Sequence, residues 1–371
     1  MNGNSLLERI QGRVQHYDWG KEEPCVVSSL HPTEVSPFAE IWYGSHPRLP
    51  SLIYNTHNPI PANLPFLLKF LSIQDPLSLQ IHPDTETAKM LFERDKTHYA
   101  DPNAKPEICI PLTHFQCFLG FVDNNILKQQ MTENPPLKKV LMFHENDEAR
   151  DLLVRAHMLS KDQISIFINE MKIHIKNLER QKVILSNHQK LFERLVTKFG
   201  EDVGIIASFL LRYEIFEPYH AFFIPPNYPH GYISGECVEA MTSSDNVIRF
   251  GLTKKFCDLE ALKFIPHETC NKISEVEKEV VNVRSESQQA AQSIRYINPT
   301  KYLSSFVATI YHINQGFTVD VTLLKVGLLV LFKGKATIDG GDYDIGASFY
   351  VKGRTTVKIT AIENASVVLL S

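Results

Sequence analysis

The run Pro76-Leu77-Ser78-Leu79-Gln80-Ile81-His82-Pro83-Asp84 is where side chains and spacing first suggest chemistry. As an extended chain it sends Leu77, Leu79 and Ile81 to one face and Ser78, Gln80 and His82 to the other. One face suits a core, while the other offers an amide oxygen and an imidazole side by side, as a β-scaffold does when it gives two ligands to one metal ion. Lys105-Pro106-Glu107 and Pro229-His230-Gly231-Tyr232 can complete the shell. Two imidazoles, one carboxylate and one amide oxygen form an N/O set compatible with Zn²⁺ plus an exchangeable oxygen ligand. Only Glu107 is anionic, so the ion would keep a net charge of about +1 and act as a strong Lewis acid toward an enolate-like oxygen.

Taken singly, each of these residues has a plainer reading. Gln80 and His82 read as a solvated strand face, Lys105 and Glu107 as an exposed ion pair, and His230 as a structural histidine. The loop around His230 carries Pro225, Pro226 and Pro229, which fix its backbone, and Gly231 allows a close turn. A second cluster follows. Ser243 to Asn246 is turn chemistry, and Arg249, Lys254 and Lys255 form a local basic group in a chain of net charge −4. Such a group suits phosphate, Arg through its planar fork and Lys as a point charge.

These residues need a scaffold, and 371 residues are enough for two or three domains. The charge balance argues against a nucleic-acid binder acting through a general basic surface. The opening residues lack the pattern of a secretory signal, and no apolar run approaches a membrane span. Cys25, Cys109, Cys117, Cys237, Cys257 and Cys270 are scattered without a CxxC pair, which favours reduced thiols and a cytoplasmic location. Up to residue 123 the texture is mostly β, with little room for long helices. Strands are expected at Pro65 to Ile73, Pro76 to His82, Ile108 to Pro111 and Phe115 to Phe121. From Leu137 to Glu217 there is no proline, although the chain has 21, so a helical domain is expected over 124–213. A capping box at Ser160-Lys161-Asp162-Gln163 opens a helix whose apolar face holds Ile164, Phe167, Ile168, Met171, Ile175 and Leu178. Leu191, Leu195 and Phe199 continue that period, and Gly200 and Gly204 mark its end. Residues 1–123 with 214–260 then form a β-domain carrying the site. The polar stretch near 271–295 reads as a crossing segment or surface loop, and Thr309 to Ser371 as a small β-barrel or sandwich, so that 261–371 joins a crossing segment to a C-terminal β-domain.

An ordered series of motifs resembles the type I phosphomannose isomerases. It comprises Val14-Gln15-His16-Tyr17-Asp18-Trp19-Gly20-Lys21, Ala39-Glu40-Ile41-Trp42-Tyr43-Gly44-Ser45-His46-Pro47, the 76–84 run, Lys105-Pro106-Glu107, Pro229-His230-Gly231-Tyr232 and the stretch 243–256. The last hundred residues match only in texture. The resemblance implies a mainly β enzyme of cupin-like, jelly-roll architecture, bicupin-like with a helical insertion. It implies one zinc ion per chain on Gln80, His82, Glu107 and His230, and an active-site arginine at Arg249. Ser78, Lys105, Tyr232, Glu239, Asp245 and Lys255 fall on pocket-lining positions. The implied reaction interconverts mannose 6-phosphate and fructose 6-phosphate through a cis-enediol and feeds GDP-mannose metabolism. Lys105, Glu239, Asp245 and a zinc-bound water all remain open as the base, with Lys255 and Ser78 as the phosphate cradle. The implied partner is a small sugar phosphate, not nucleic acid or membrane, and the chain is expected to be a monomer. Two departures stand out: Glu217-Pro218-Tyr219-His220 replaces a Pro-Gly-Glu turn, and Ala104 stands where a histidine is common. A non-catalytic cupin-type sugar-binding or regulatory module and an Fe²⁺ cupin oxygenase are the competing readings. The amide at position 80 and the basic cluster fit the isomerase better.

Overall fold

The computed structural model describes residues 6–32, 35–264, 273, 275–285, 288–299, 301 and 306–371. Cys270 lies outside the described residues; the other five cysteines are free thiols, all buried except the partly exposed Cys257.

Three antiparallel sheets stack in layers around a cupin-like β-rich architecture with a helical flank. The strand Phe66–Ile73 is buried along its whole length, which explains why it reads as a continuous apolar run and not an alternating one. Its Phe66, Leu68 and Phe70 join a core with Ile41, Tyr43, Ile108, Ile110, Val238 and Ala240 of neighbouring strands. Leu328, Val330, Val368 and Leu370 of an eight-stranded sheet close that core from the other side. The next residues along the same strands, Leu329, Leu331, Val367 and Leu369, enter a separate core against Val321, Ala336, Val357 and Ile359 of a four-stranded sheet. The eight-stranded sheet is therefore the middle layer, and its period-2 alternation feeds two cores. The N-terminal strand Leu7–Gln11 belongs to that middle layer, pairing with Ser348–Val351 at the far end of the chain.

The remaining flank is helical. Leu79 and Ile81 pack into a third core with Ile248, Phe250 and the helices, so Gln80 between them faces away. The helices are Asn124–Glu133, Pro135–Val140, Ala149–Ala156, Lys161–Arg180, Asn187–Phe199 and Gly204–Ser208. The Ser160 capping box forms as expected, with Gln163 returning the bond.

Several expectations need correction. The period from Ile164 to Phe199 is not one helix: the chain turns after Arg180, with Lys182 in the left-handed region (φ 57°). A second capping box, Ser186 with Gln189, then opens the next helix, and this Ser-x-x-Gln signal was present in the sequence. Gly204 opens a short helix and does not terminate one, and strand structure resumes at Leu211. The segment after the 76–84 run holds a ten-residue helix, Thr85–Arg94, capped by Asp84 accepting from Thr87 N–H. The Pro76–His82 strand shrinks to Leu79–Ile81, between prolines that lack N–H donors. Within the polar stretch near 271–295, Lys278–Ser285 and Gln288–Tyr296 are strands that pair at the outer edge of the middle sheet, while residues 271, 272, 274, 286 and 287 lie outside the described residues. Its outermost strand is exposed on both faces, Val280, Val281 and Val283 included, so burial imposes no apolar alternation on it.

The Tyr219 departure is also explained by this layering. Tyr219 takes a left-handed backbone (φ 66°), costing about 1–2 kcal/mol for a residue with a Cβ. Its N–H donates to Pro111 O, its carbonyl accepts from the Tyr296 hydroxyl, and its ring stands edge-on to His312. His220 Nδ1 adds a hydrogen bond to Glu275 Oε1 at 2.8 Å. A turn that glycine would adopt freely is here held by the middle sheet.

His188 ties the helices to the β-scaffold. It is buried, its Nε2–H donates to Leu211 O (2.9 Å), and its Nδ1 faces the Gln130 amide nitrogen (3.2 Å). Burial pushes its pKa down to about 4. Between the ordinary value near 6.5 and about 4, the unfolded chain binds a proton that the folded one does not. Stability is therefore lost as pH falls through that window, by up to about 3 kcal/mol at its lower end. The urea midpoint of His188→Gln is expected to fall less than that of the natural chain between pH 7 and pH 4. Parallel curves would show that His188 contributes nothing to acid lability.

Candidate metal centre

The strand His230–Thr242 organises the site because it runs through both parts of the ten-stranded sheet. At its start His230 lies opposite Gln80, and Gln80 in turn lies opposite Arg249. Arg249, Gln80 and His230 thus form one cross-strand row. Further along, Glu239 lies opposite Lys69, and Lys69 opposite Trp42, giving a second row. Glu107 opens the strand Glu107–Pro111 and pairs with Met241. Close approach is enforced at Gly231, where a Cβ would lie 2.9 Å from Leu79 Cδ2. The loop before His230 is tied back by Asn227, whose N–H donates to His82 O and whose side chain bonds Asp84.

His82, Glu107 and His230 meet as the sequence predicted. Their candidate ligand atoms all lie within 4.8 Å of one another, and all three residues are buried. His82 Nε2 is 3.3 Å from Glu107 Oε1, and His230 Nε2 is 3.6 Å from Glu107 Oε2. Each imidazole donates its other N–H to a main-chain carbonyl: His82 Nδ1 to Asn246 O (2.7 Å) and His230 Nδ1 to Tyr228 O (2.9 Å). Those bonds fix the tautomer and leave both Nε2 lone pairs facing Glu107. The Gln80 amide sits 3.3 Å from His230 Nε2, and a half-turn of the amide presents its oxygen there.

A divalent cation fits this set. His82 Nε2 and Glu107 Oε2 are buried without hydrogen-bond partners, a state that buried polar atoms rarely keep. Burial, reinforced by Lys105 for His82 and by His82 for His230, lowers both imidazoles, His230 to about 4. Burial opposes ionisation of Glu107, but the Lys105 ammonium holds it well below the usual carboxylate range. Neutral imidazoles and an ionised carboxylate are the protonation states that a metal requires.

The other expected residues line one cavity of about 340 Å³: Ser78, Lys105, Tyr232, Glu239, Asp245, Arg249 and Lys255, together with Gln80 and Glu107. Lys105 Nζ contacts Glu107 Oε1 at 2.9 Å, and Ala104 contributes only its carbonyl, accepting from Thr242 Oγ1. Glu239 accepts from the Tyr232 hydroxyl at 2.8 Å. Burial and the nearby Glu107 charge raise its pKa to about 7. Asp245 sits nearer the mouth, 3.4 Å from His46 and 3.8 Å from Arg48. Burial and the Arg249 charge lower the pKa of Lys255, whose ammonium stands over the Tyr17 ring.

Lys69, Glu40, Trp42, Arg48 and Lys198 line the same cavity and were not singled out from sequence. Lys69 pairs with Glu40 (3.5 Å) and lies 3.9 Å from Glu239, while Trp42 Nε1–H donates to Glu40. A single lysine within Pro65 to Ile73, otherwise apolar apart from Ser72, was the available signal. Lys198, on the helix Asn187–Phe199, reaches Asp75 at 2.9 Å and brings the helical flank to the cavity wall.

A cupin-like scaffold with a His-Glu-His cluster at the base of a polar, lysine- and arginine-lined cavity suits a metal-assisted reaction of a small anionic substrate. A family model for the phosphomannose isomerase type I catalytic domain matches residues 55–124. Mannose-6-phosphate isomerase 2 of Arabidopsis thaliana is 30% identical over 313 residues, 71% of this chain and 71% of the relative. The Homo sapiens mannose-6-phosphate isomerase is 31% identical over 299 residues, 67% of this chain and 70% of the relative. A crystal structure of mannose 6-phosphate isomerase bound with zinc and yttrium has a TM-score of 0.81 over 99% of both chains at 19% identity. The apo form from Salmonella typhimurium gives 0.81 at 20% identity, again over 99% of each. The chain belongs to the type I phosphomannose isomerase family, the mannose-6-phosphate isomerases, and is an enzyme.

Glu107→Gln removes the one carboxylate of the His82, Glu107 and His230 cluster. Its zinc affinity in equilibrium dialysis is expected to fall by at least about 100-fold, above the 10–100-fold typical of groups that only support a ligand. Zinc uptake equal to the natural chain would remove Glu107 from the metal centre.

Proposed function

We propose that this chain interconverts mannose 6-phosphate and fructose 6-phosphate with one zinc ion held by Gln80, His82, Glu107 and His230. The observation that carries the reading is the cluster of His82, Glu107 and His230, with Gln80 3.3 Å from His230, beside a cavity of about 340 Å³ that Gln80, Glu107, Glu239 and Arg249 line. Bound there, the zinc would supply positive charge that stabilises negative charge developing on the C1 and C2 oxygens of the open-chain sugar.

The protein's own groups do the rest. Glu239 is the base: with its pKa raised to about 7, its carboxylate is basic enough to take the C2 proton and acidic enough to return it to C1. The cis-enediol lies between those two transfers, and a hydroxyl proton passes from O2 to O1 to complete the aldose-to-ketose change. The Tyr232 hydroxyl orients Glu239, and Lys69 balances its charge from the far side. Lys105 holds one oxygen of Glu107 and leaves the other for the metal. Arg249, across the strand pair from Gln80, steadies the enediolate oxygens. Lys255 and Ser78 take the phosphate. Asp245, engaged by His46 and Arg48, shapes the mouth and is not the base. The enzyme acts as a cytoplasmic monomer supplying mannose 6-phosphate for GDP-mannose. Its four buried free thiols suit a reducing compartment, and among the described residues no helix is long and apolar enough to cross a membrane. Residues 1–123 with 214–260 would form the catalytic unit, with 124–213 as a helical wall.

In a coupled assay on the zinc-loaded protein, Glu239→Gln should lose about 10²–10⁴-fold in kcat. The acid limb of its kcat/KM profile should vanish. In the natural enzyme that limb falls at or below about pH 7, because a cation on Glu107 cancels part of the charge that raises Glu239. A retained limb in Glu239→Gln assigns the base elsewhere. Arg249→Ala should lower kcat strongly at unchanged zinc content; unchanged turnover would take Arg249 out of the chemistry.

A further inference from the structure

The molecule holds a second cavity, of about 400 Å³, where the N-terminal strand, the end of the helix Val26–Leu30 and the turn after Gly341–Asp344 come together. It is separated from the candidate metal centre by one strand. In Glu40–Gly44, Glu40 and Trp42 line the first cavity while Ile41 and Tyr43 line the second.

Three observations give this cavity a chemical character. Arg9 is its cation, stacked over the Tyr54 ring at 3.8 Å and facing the Tyr343 ring at 5.3 Å. Aromatic cover on the guanidinium faces leaves its in-plane N–H edge, the geometry that grips a carboxylate or phosphate with two bonds. Secondly, the acidic residues of the wall, Asp342 and Asp344, and the adjacent Glu8 each bond a group other than Arg9. Glu8 pairs with Lys352 (2.7 Å), Asp344 with Lys335 (3.2 Å), and Asp342 accepts from the Thr337 hydroxyl (2.6 Å). Among the described residues no carboxylate pairs with Arg9. Thirdly, part of the wall is apolar and buried: Ile10, Leu30, Ile41 and the ring of Tyr43 line it.

We propose that this cavity is a second small-molecule site that takes a compact organic anion through a carboxylate or phosphate on the Arg9 guanidinium. The volume lies within the range of ligand pockets. Ile10, Leu30 and Ile41 supply apolar wall for the carbon part of the ligand. The site is independent of the reaction assigned to the first cavity.

Isothermal titration of the zinc-loaded full-length protein at fixed ionic strength tests this, with succinate and inorganic phosphate as separate probes. At least one probe should bind, and which one binds tells carboxylate from phosphate recognition. Arg249→Ala, which alters the first cavity, should leave that binding intact, whereas Arg9→Met should weaken it by at least about tenfold. Arg9→Lys, which keeps the charge but not the fork, should fall between them. Should Arg9→Met fail to fold by circular dichroism, Arg9→Lys and Tyr54→Ala decide: weaker binding supports the site and unchanged binding overturns it. The proposal is equally overturned if neither probe binds at millimolar concentration, if Arg9→Met binds like the natural chain, or if Arg249→Ala is the variant that loses the heat.

Discussion

Glu107 is a carboxylate shut away from water between a lysine and two imidazoles, and the protein around it is arranged to make that tolerable. A buried charge needs paired and hydrogen-bonded neighbours or it neutralises. Lys105 supplies the partner, while the Nε2 atoms of the neutral His82 and His230 rings, 3.3 and 3.6 Å away, face it with lone pairs and no hydrogen. The imidazoles stay neutral because burial outweighs attraction to Glu107, and their tautomers are set by the carbonyls of Asn246 and Tyr228. The proline-rich loop, the Asn227 tether and the close packing at Gly231 all serve to keep those rings where they are.

That local balance depends on the layered β-scaffold. Glu107, Lys69 and Glu239 project from strands whose opposite residues fill the core shared with the middle sheet. Gln80 projects from a strand whose neighbours Leu79 and Ile81 fill the helical core. Gln80, Glu107, Lys69 and Glu239 are therefore each anchored by apolar residues one position away on the same strand. A one-residue slip would exchange core and site faces together, so the register is strongly specified. The Lys69 ammonium, between Glu40 and Glu239, extends the same logic: two carboxylates are kept near one another because one lysine stands between them.

Local signals in the chain were reliable where their cause is local. The Ser160 capping box, the alternation through Leu79–Ile81 and the proline-fixed loop before His230 each depend on a few adjacent residues. The signals failed where distant packing decides. The polar hairpin Lys278–Tyr296 has no apolar period because its outer strand covers nothing, and pairing to Ala308–Ile313 makes it a strand. The break between Arg180 and Ser186 carries no proline or glycine, so periodicity ran straight through it.

The sequence by itself determined which side chains could bind a cation and which faces they would share with apolar neighbours. Side-chain type and a two-residue period are properties of the chain alone. Only the tertiary structure decided that residues 80, 82, 107 and 230 meet, and that Arg9 shares a cavity with Tyr343. It alone decided that Lys69 lies between Glu40 and Glu239. Those outcomes rest on pairings between strands far apart in the chain, as between Leu7–Gln11 and Ser348–Val351. No short window of sequence contains both partners of such a pair, and burial, which sets every charge state in the site, exists only once the layers have closed.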